Sequence, residues 1–457
     1  MRRFFIAIAI TLLTLVAQLS PATVWYVSPS YGSNDSTGVD WKHALATIAA
    51  AEDSACGRGI DSIFVAAGDT AREKVTFIDT VRVFSAVVDS VDSTSRATST
   101  TPFVVYFPNL STSDDLIKVE GDSGYLVIHY CTTDGGPLSE PNQARYGFRA
   151  GQNTGPKGEL EAHHCVAKHM SSNGFLASYY TGGTISASYC SSYCNETNGF
   201  YVGTNGNLYL DSCVSLNNLW NGLKIVNADT VVAENIRSVS NGESGCYINS
   251  AYIVHISNYI SNMDALTPIN FPNEANSNSL CILNSVLHLS NGNCTGIYYS
   301  GLDTLVARGV IIQGSSGVGI RNIRSGHIVA DHLTLVDLDT AICNVSEGSI
   351  LLTNSIISNA REYAIINDGT GQFVAHHNAF YRSGCDSYKV TDSLNVILDQ
   401  PVFPNSSQTA TLISVGWDST VARFVPYIGN SEWWYRKVAV GGDDGRPLGA
   451  LDYTISR

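Results

Sequence analysis

A repeat of about 23 residues constrains this chain more than any other feature of it. Segments opening at Leu160 (LEAHHCVAKH), Ile185 (ISASYCSSYC), Leu208 (LYLDSCVSLN), Val231 (VVAENIRSVS), Leu305 (LVARGVIIQG), Ile328 (IVADHLTLVD), Ile350 (ILLTNSIISN) and Phe373 (FVAHHNAFYR) share one frame. Most of their starts lie 22 to 25 residues apart. A polar turn and a second short strand follow, and that strand usually opens with glycine: Gly147, Gly174, Gly199, Gly222, Gly245, Gly296 and Gly319, with Ala341 and Ala364 in the same place later. The step from Gly245 to Gly296 is double, so one rung is degenerate and carries an insertion around Pro268 to Ser279. Short strands with alternating apolar residues cannot bury their own apolar face, so neighbouring repeats must stack into a solenoid. Leucine-rich repeats have this length but need an LxxLxL frame and a helical half, and neither is present. Asn235, Asn354, His332 and His377 fall at one bend and are expected to form a hydrogen-bonding column.

Composition narrows the class further. Charged residues make up only 14%, while Gly (40) and Tyr (23) are plentiful, which suits short strands joined by polar turns. The net charge of −14 disfavours nucleic acid and anionic membranes as partners. Eleven Cys form no CxxC pair and no Cys/His metal spacing. Cys165, Cys190 and Cys213 share one phase of the repeat and read as small buried apolar residues. Met1-Arg2-Arg3, an apolar run from Phe4 to Leu19 and then Ser20-Pro21-Ala22 read as a secretory signal, so the mature chain is expected to start near Thr23 and to be secreted or held at the cell surface. The run is short for a bilayer span, and membrane insertion after cleavage is not expected.

The period covers roughly residues 115 to 385 and resembles the right-handed parallel β-helix superfamily, the pectin-lyase-like proteins, in its secreted bacterial form. Trp25-Tyr26-Val27-Ser28-Pro29, Trp41 leading into Ala44-Leu45-Ala46-Thr47-Ile48, and Asp61 to Gly68 resemble the amino-terminal cap of such proteins. Asp443-Asp444-Gly445-Arg446-Pro447-Leu448-Gly449-Ala450 resembles their last rung. The resemblance implies an all-β, single-stranded right-handed parallel β-helix with an N-terminal capping helix, placed at 42–55 by its apolar spacing, and a C-terminal cap. The expected divisions are 1–22 signal, 23–114 cap and first rungs, 115–385 repeats, and 386–457 final rungs and cap with Trp417, Trp433 and Trp434.

One face carries the candidate chemistry. In the strand after the glycine, the first residue should point inward and the next outward. The outward column then reads Arg149, Leu176, Tyr201, Lys224, Tyr247, the degenerate rung, Tyr298, Arg321, Cys343 and Ile366. Cations between flat aromatic faces suit an extended polysaccharide bearing carboxylates or sulfates, although aromatics also fit an outward strand surface for packing reasons alone. Trp220 strengthens the middle of the face, and the turns add His169, Asn173, Asn195, Glu196, Asn198, Asn221, Glu243 and Asp264. Polysaccharide lyases of the superfamily imply roles here: Lys224 as base, Tyr201 or Tyr247 as acid, and Arg149 on the substrate's charge, with Trp220, Tyr298 and Arg321 also binding. The Trp-x-Asp-His stretch and paired Asp ligands of pectate lyases are absent, and the column lacks the adjacent carboxylates of a glycoside hydrolase. Ca²⁺ at Glu196, Glu243 and Asp264 stays open, although no EF-hand-like run supports it. His163-His164 and His376-His377 read as structural, one ring of each pair facing the stack and the other solvent. Gly151 to Gly158 reads as a turn. A monomeric polysaccharide lyase and a non-catalytic adhesin or carbohydrate-binding protein both remain open.

Overall fold

The computed structural model describes residues 23–55, 61–88, 94–106, 115–137, 143–151, 157–177, 182–272, 279–289, 294–385, 387–388, 390–393, 395–397, 416–418 and 423–425. Residues 1–22, expected to be a secretory signal, most of the Gly151–Gly158 stretch, the core of the insertion, and the tail with Trp433, Trp434 and Asp443 to Ala450 lie outside the described residues. In the tail, Gly416–Asp418 pairs antiparallel with Arg423–Val425.

The chain winds as a right-handed parallel β-helix of about 12 turns, the solenoid that the period implied in the form that the family resemblance implied. Each complete rung contributes three strands. In one rung these are Phe200–Val202, Asn207–Asp211 and Val214–Leu216, which belong to a front, a second and a third ladder. Parallel pairing starts with Val24–Val27 against Asp61–Ala66 and runs to Ala379–Tyr381 against Val396–Ile397. Among the described residues the third ladder has 14 strands. The front and second ladders merge into one 26-stranded sheet because Leu223–Glu234 and Cys246–Ser257 run unbroken through both.

The register follows the apolar phase. Leu160, Ile185, Leu208 and Val231 align in the second ladder and are almost wholly buried. A one-residue slip would turn all of them outward, so burial holds the register. The bend after the second ladder is a single left-handed residue, as at Ser212 (φ 56°), Asn235 (56°), His332 (52°), Asn354 (51°) and His377 (57°). Asn tolerates that conformation best and here also bonds along the stack: Asn258 Nδ2 donates to Asn235 Oδ1 at 3.0 Å and Asn354 Nδ2 to Asp331 Oδ1 at 2.9 Å. Just past the bend, Cys131, Cys165, Cys190 and Cys213 are fully buried, free thiols.

The corner leading into the front ladder is built from amides. Asn195 Nδ2 donates to Asn218 Oδ1 (2.8 Å), Asn218 Nδ2 to Asn241 Oδ1 (3.0 Å) and Asn241 Nδ2 to Asp264 Oδ1 (2.9 Å), all inside the solenoid. Serines brace the same column, with Ser215 Oγ donating to Gly222 O at 3.0 Å. Where a serine and the next rung's carbonyl crowd the start of a front strand, glycine is needed. A Cβ on Gly199 would sit 2.2 Å from Ser215 Oγ and 2.7 Å from Gly222 O.

At the amino end the helix is Ile48–Ala55, shorter than 42–55, and it puts Ile48, Ala51 and Ala55 into the core. Glu73 accepts from the Ile48 and Ala49 amides at 2.7 and 2.9 Å, which satisfies two of the donors a helix start leaves open. Among the described residues, no helix is long and apolar enough to cross a membrane.

Candidate functional site

Strand pairing sets the outward residues of the front ladder in one file. Arg149 pairs with Leu176, Leu176 with Tyr201, Tyr201 with Lys224, and Lys224 with Tyr247. The file continues through Asn270, which fills the degenerate rung, to Tyr298, Arg321, Cys343 and Ile366. Upstream it begins with Thr76 and Lys118.

Exposure varies along it. Arg149 is 6% exposed, and its Nη1 is 2.9 Å from Asp115 Oδ2. A guanidinium already neutralised by a buried carboxylate has no charge left to offer a polymer, so Arg149 is structural rather than substrate-binding. Sequence reading missed this because Asp115 stands at the start of the preceding front strand, opposite Tyr146 rather than in the outward file. Tyr201 is only 6% exposed and packs with Tyr146 and Leu176, so it too is turned into the protein and is a poor proton donor to an external ligand.

From Lys224 to Arg321 the file opens, before Cys343 and Ile366 bury it again. Lys224, Tyr247, Asn270 and Tyr298 are half-buried, and Arg321 is exposed. The Lys224 ammonium lies 5.1 Å from the centre of the Trp220 ring and 5.3 Å from that of Tyr247. Trp220, 41% exposed, is held on its turn by backbone bonds to the turns on either side: its N–H donates to Thr197 O, and its carbonyl accepts from Glu243 N–H. Burial pushes the Lys224 amine below its usual range, and the Glu243 carboxylate opposes that shift. Burial, helped by Glu243, raises the Tyr247 phenol above its ordinary value. Both shifts have burial as their first cause, and both move toward the uncharged form.

The turn residues expected at the surface mostly point the other way. Asn173, Asn195, Asn198, Asn221 and Asp264 are buried. Asp264, 1% exposed, accepts from Asn241 and from Ser261 Oγ at 2.6 Å, which removes it from any calcium set with Glu196 and Glu243. Among the described residues, no three His, Cys, Asp or Glu are grouped to hold a metal. The reason is geometric: an amide one position inside the corner bonds to the next rung, and only the two residues after it reach solvent, as Leu219 and Trp220 do.

The histidine pairs also differ from expectation. His164 is exposed and stacks between Tyr130 and Tyr189 at 4.7 and 4.9 Å, while His163 turns to Glu161 and Ser188. His376 and His377 do not part, one to the stack and one to solvent; both are half-buried, with their Nδ1 atoms 2.9 Å apart.

A groove that sequence reading did not find lies on the outer face of the second ladder. It has a volume of about 300 Å3 and is lined by Glu161, His163, Ser188, Tyr209, Asp211 and Glu234, among others. The signal available was a two-residue spacing, Glu161 and His163 on one strand face, with a serine one repeat later.

No protein-family model and no curated protein sequence matches the chain. Among solved structures it is similar to the A-module of a mannuronan C-5 epimerase from Azotobacter vinelandii, with 15% identity, a TM-score of 0.38, and coverage of 78% of this chain and 93% of that one. A pectate lyase matches at 12% identity and a TM-score of 0.41, covering 95% and 98%. An alginate lyase from Paenibacillus matches at 12% and 0.35, covering 81% and 99%.

Proposed function

We propose that this chain is exported and engages an extended, anionic polysaccharide along the open half of the front ladder. One observation carries the reading: a half-buried Lys224 between the Trp220 and Tyr247 rings, in strand register with Asn270, Tyr298 and Arg321. Four rung spacings make this file about 19 Å long, enough for several sugar rings. Rings stack on the aromatic faces, Asn270 bonds hydroxyls, and Lys224 and Arg321 meet the polymer's charges. The protein is expected to act as a monomer.

The finer reading is β-elimination. A neutral Lys224 takes the proton next to the uronate carboxylate, and Tyr247 gives its proton to the departing glycosidic oxygen. The opposing, non-catalytic reading is favoured by one fact: the charge that acts on the Lys224 amine is the Glu243 carboxylate, whereas Arg149 is paired with Asp115 and Arg321 lies four rungs away. Among the described residues, no second cation beside Lys224 then neutralises the uronate while its proton leaves.

Binding and product formation separate the two. The protein is titrated against alginate, pectate and glycosaminoglycans while unsaturated product is followed in the ultraviolet. Lys224→Ala should weaken binding about tenfold, the loss of one desolvated cation–π group, and abolish any product. Wild-type binding without product would leave an adhesin or carbohydrate-binding protein. Failure to bind any of these polymers would sink the polysaccharide reading itself.

A further inference from the structure

In the second-ladder groove a hydroxyl, an imidazole and a carboxylate are joined in a line. Glu161 and His163 project from the same face of Glu159–His163, and strand register sets Ser188 opposite His163 on the next rung. His163 Nδ1 is 2.6 Å from Ser188 Oγ, and His163 Nε2 is 2.8 Å from Glu161 Oε1. Tyr125 donates its hydroxyl to the second Glu161 oxygen, which fixes the carboxylate. Ser186 and Ser188 are small, whereas Glu161 and His163 on one side and Tyr209 and Asp211 on the other are large, so the recess opens at the serines. With its hydrogen on Nε2 and shared with Glu161, the imidazole presents the Nδ1 lone pair to the Ser188 hydroxyl. Roles in such a line follow from geometry and not from chain order, and either ring nitrogen can serve as the base.

We propose that Ser188, His163 and Glu161 form a hydrolytic site for small uncharged or cationic acyl esters. Ser188 Oγ attacks the ester carbonyl carbon while His163 takes its proton. The tetrahedral adduct collapses, the alcohol leaves with that proton, and the acyl group stays on Ser188. Water then attacks the acyl carbon and gives a proton to His163, which returns it to Ser188 Oγ as the Ser–acyl bond breaks and the carboxylic acid leaves, so one ester and one water become one alcohol and one acid. Glu161 is a positioning residue that holds the ring. Ser186, the next outward side chain on the strand, is the hydroxyl available to the oxyanion. Asp211 pairs with Ser188 one rung on, and Glu234 pairs with Asp211, so an anionic ester is repelled. Asp211 also works against the oxyanion, and the expected turnover is modest for that reason.

This face is separate from the Lys224 file, and a small ester tests it with no polymer present. Full-length protein is assayed with p-nitrophenyl acetate, and the acyl adduct is sought on the Ser188 peptide by mass spectrometry. Ser188→Ala and His163→Asn should each lower kcat on the order of 100-fold or more. Glu161→Gln should lower kcat with KM unchanged, and Asp211→Asn should raise kcat/KM for this neutral ester. An ester carrying a quaternary ammonium should outrun an anionic ester of the same acyl group. If Ser188→Ala, folded by circular dichroism, hydrolyses as fast as the wild type, or the Ser188 peptide carries no adduct, the site is overturned.

Discussion

Lys224 and Asp264 respond to burial in opposite ways, and each can be read through pH. Burial lowers the Lys224 amine, so any elimination that uses it as a base should speed up as pH rises, with a midpoint below that of an ordinary lysine. A pH–rate profile checks this, and Lys224→Arg should remove the limb. Burial raises Asp264, which means that the folded protein holds this proton more tightly than the unfolded chain does. Its contribution is full below the ordinary carboxylate value of about 4 and is lost as pH rises through the raised one. Urea unfolding from pH 4 to 8 should show that loss in the wild type. Asp264→Asn keeps an oxygen for Asn241, and its stability should fall less steeply than the wild type's across the same window, the remainder coming from the other buried carboxyls raised by burial, Glu52, Glu73 and Asp115.

Among the elements, the asparagine ladder ties the front corner together, and its middle member carries most. Asn218 receives from Asn195 and donates to Asn241, and its own backbone N–H bonds Asn241 Oδ1 at 3.1 Å. Asn218→Ala leaves the buried Asn195 backbone N–H without its acceptor and takes one bond each from Asn195 Nδ2 and Asn241 Oδ1, so a loss of about 1–3 kcal/mol is expected in denaturant unfolding. Front strands and ladders were legible from the period because glycine and apolar phase mark them. The direction of the corner amides was not, since Asn suits an exposed turn and a buried ladder equally well.

Across the whole molecule, each rung touches only its neighbours, so stability is a sum of local terms. Hydrogen exchange should therefore be slowest in the middle rungs, around Phe200 to Ile256, and faster toward Val24–Val27 and Val396–Ile397. Uniform protection from end to end would mean a single all-or-none unit instead. The same stacking explains why sequence-distant residues such as Lys224 and Arg321 line one surface, 97 positions apart yet four rungs distant.

By itself the sequence determined the solenoid, its register and the file from Arg149 to Ile366, because a constant period and alternating burial admit one stacking. Only the tertiary structure decided which members of that file are free. Asp115 reaches Arg149 from the strand before it, Tyr146 and Leu176 close over Tyr201, and His163 finds Ser188 across a rung. Those contacts depend on side-chain lengths and directions between adjacent turns, where periodicity is silent: it assigns a residue to a face and says nothing about what meets it there.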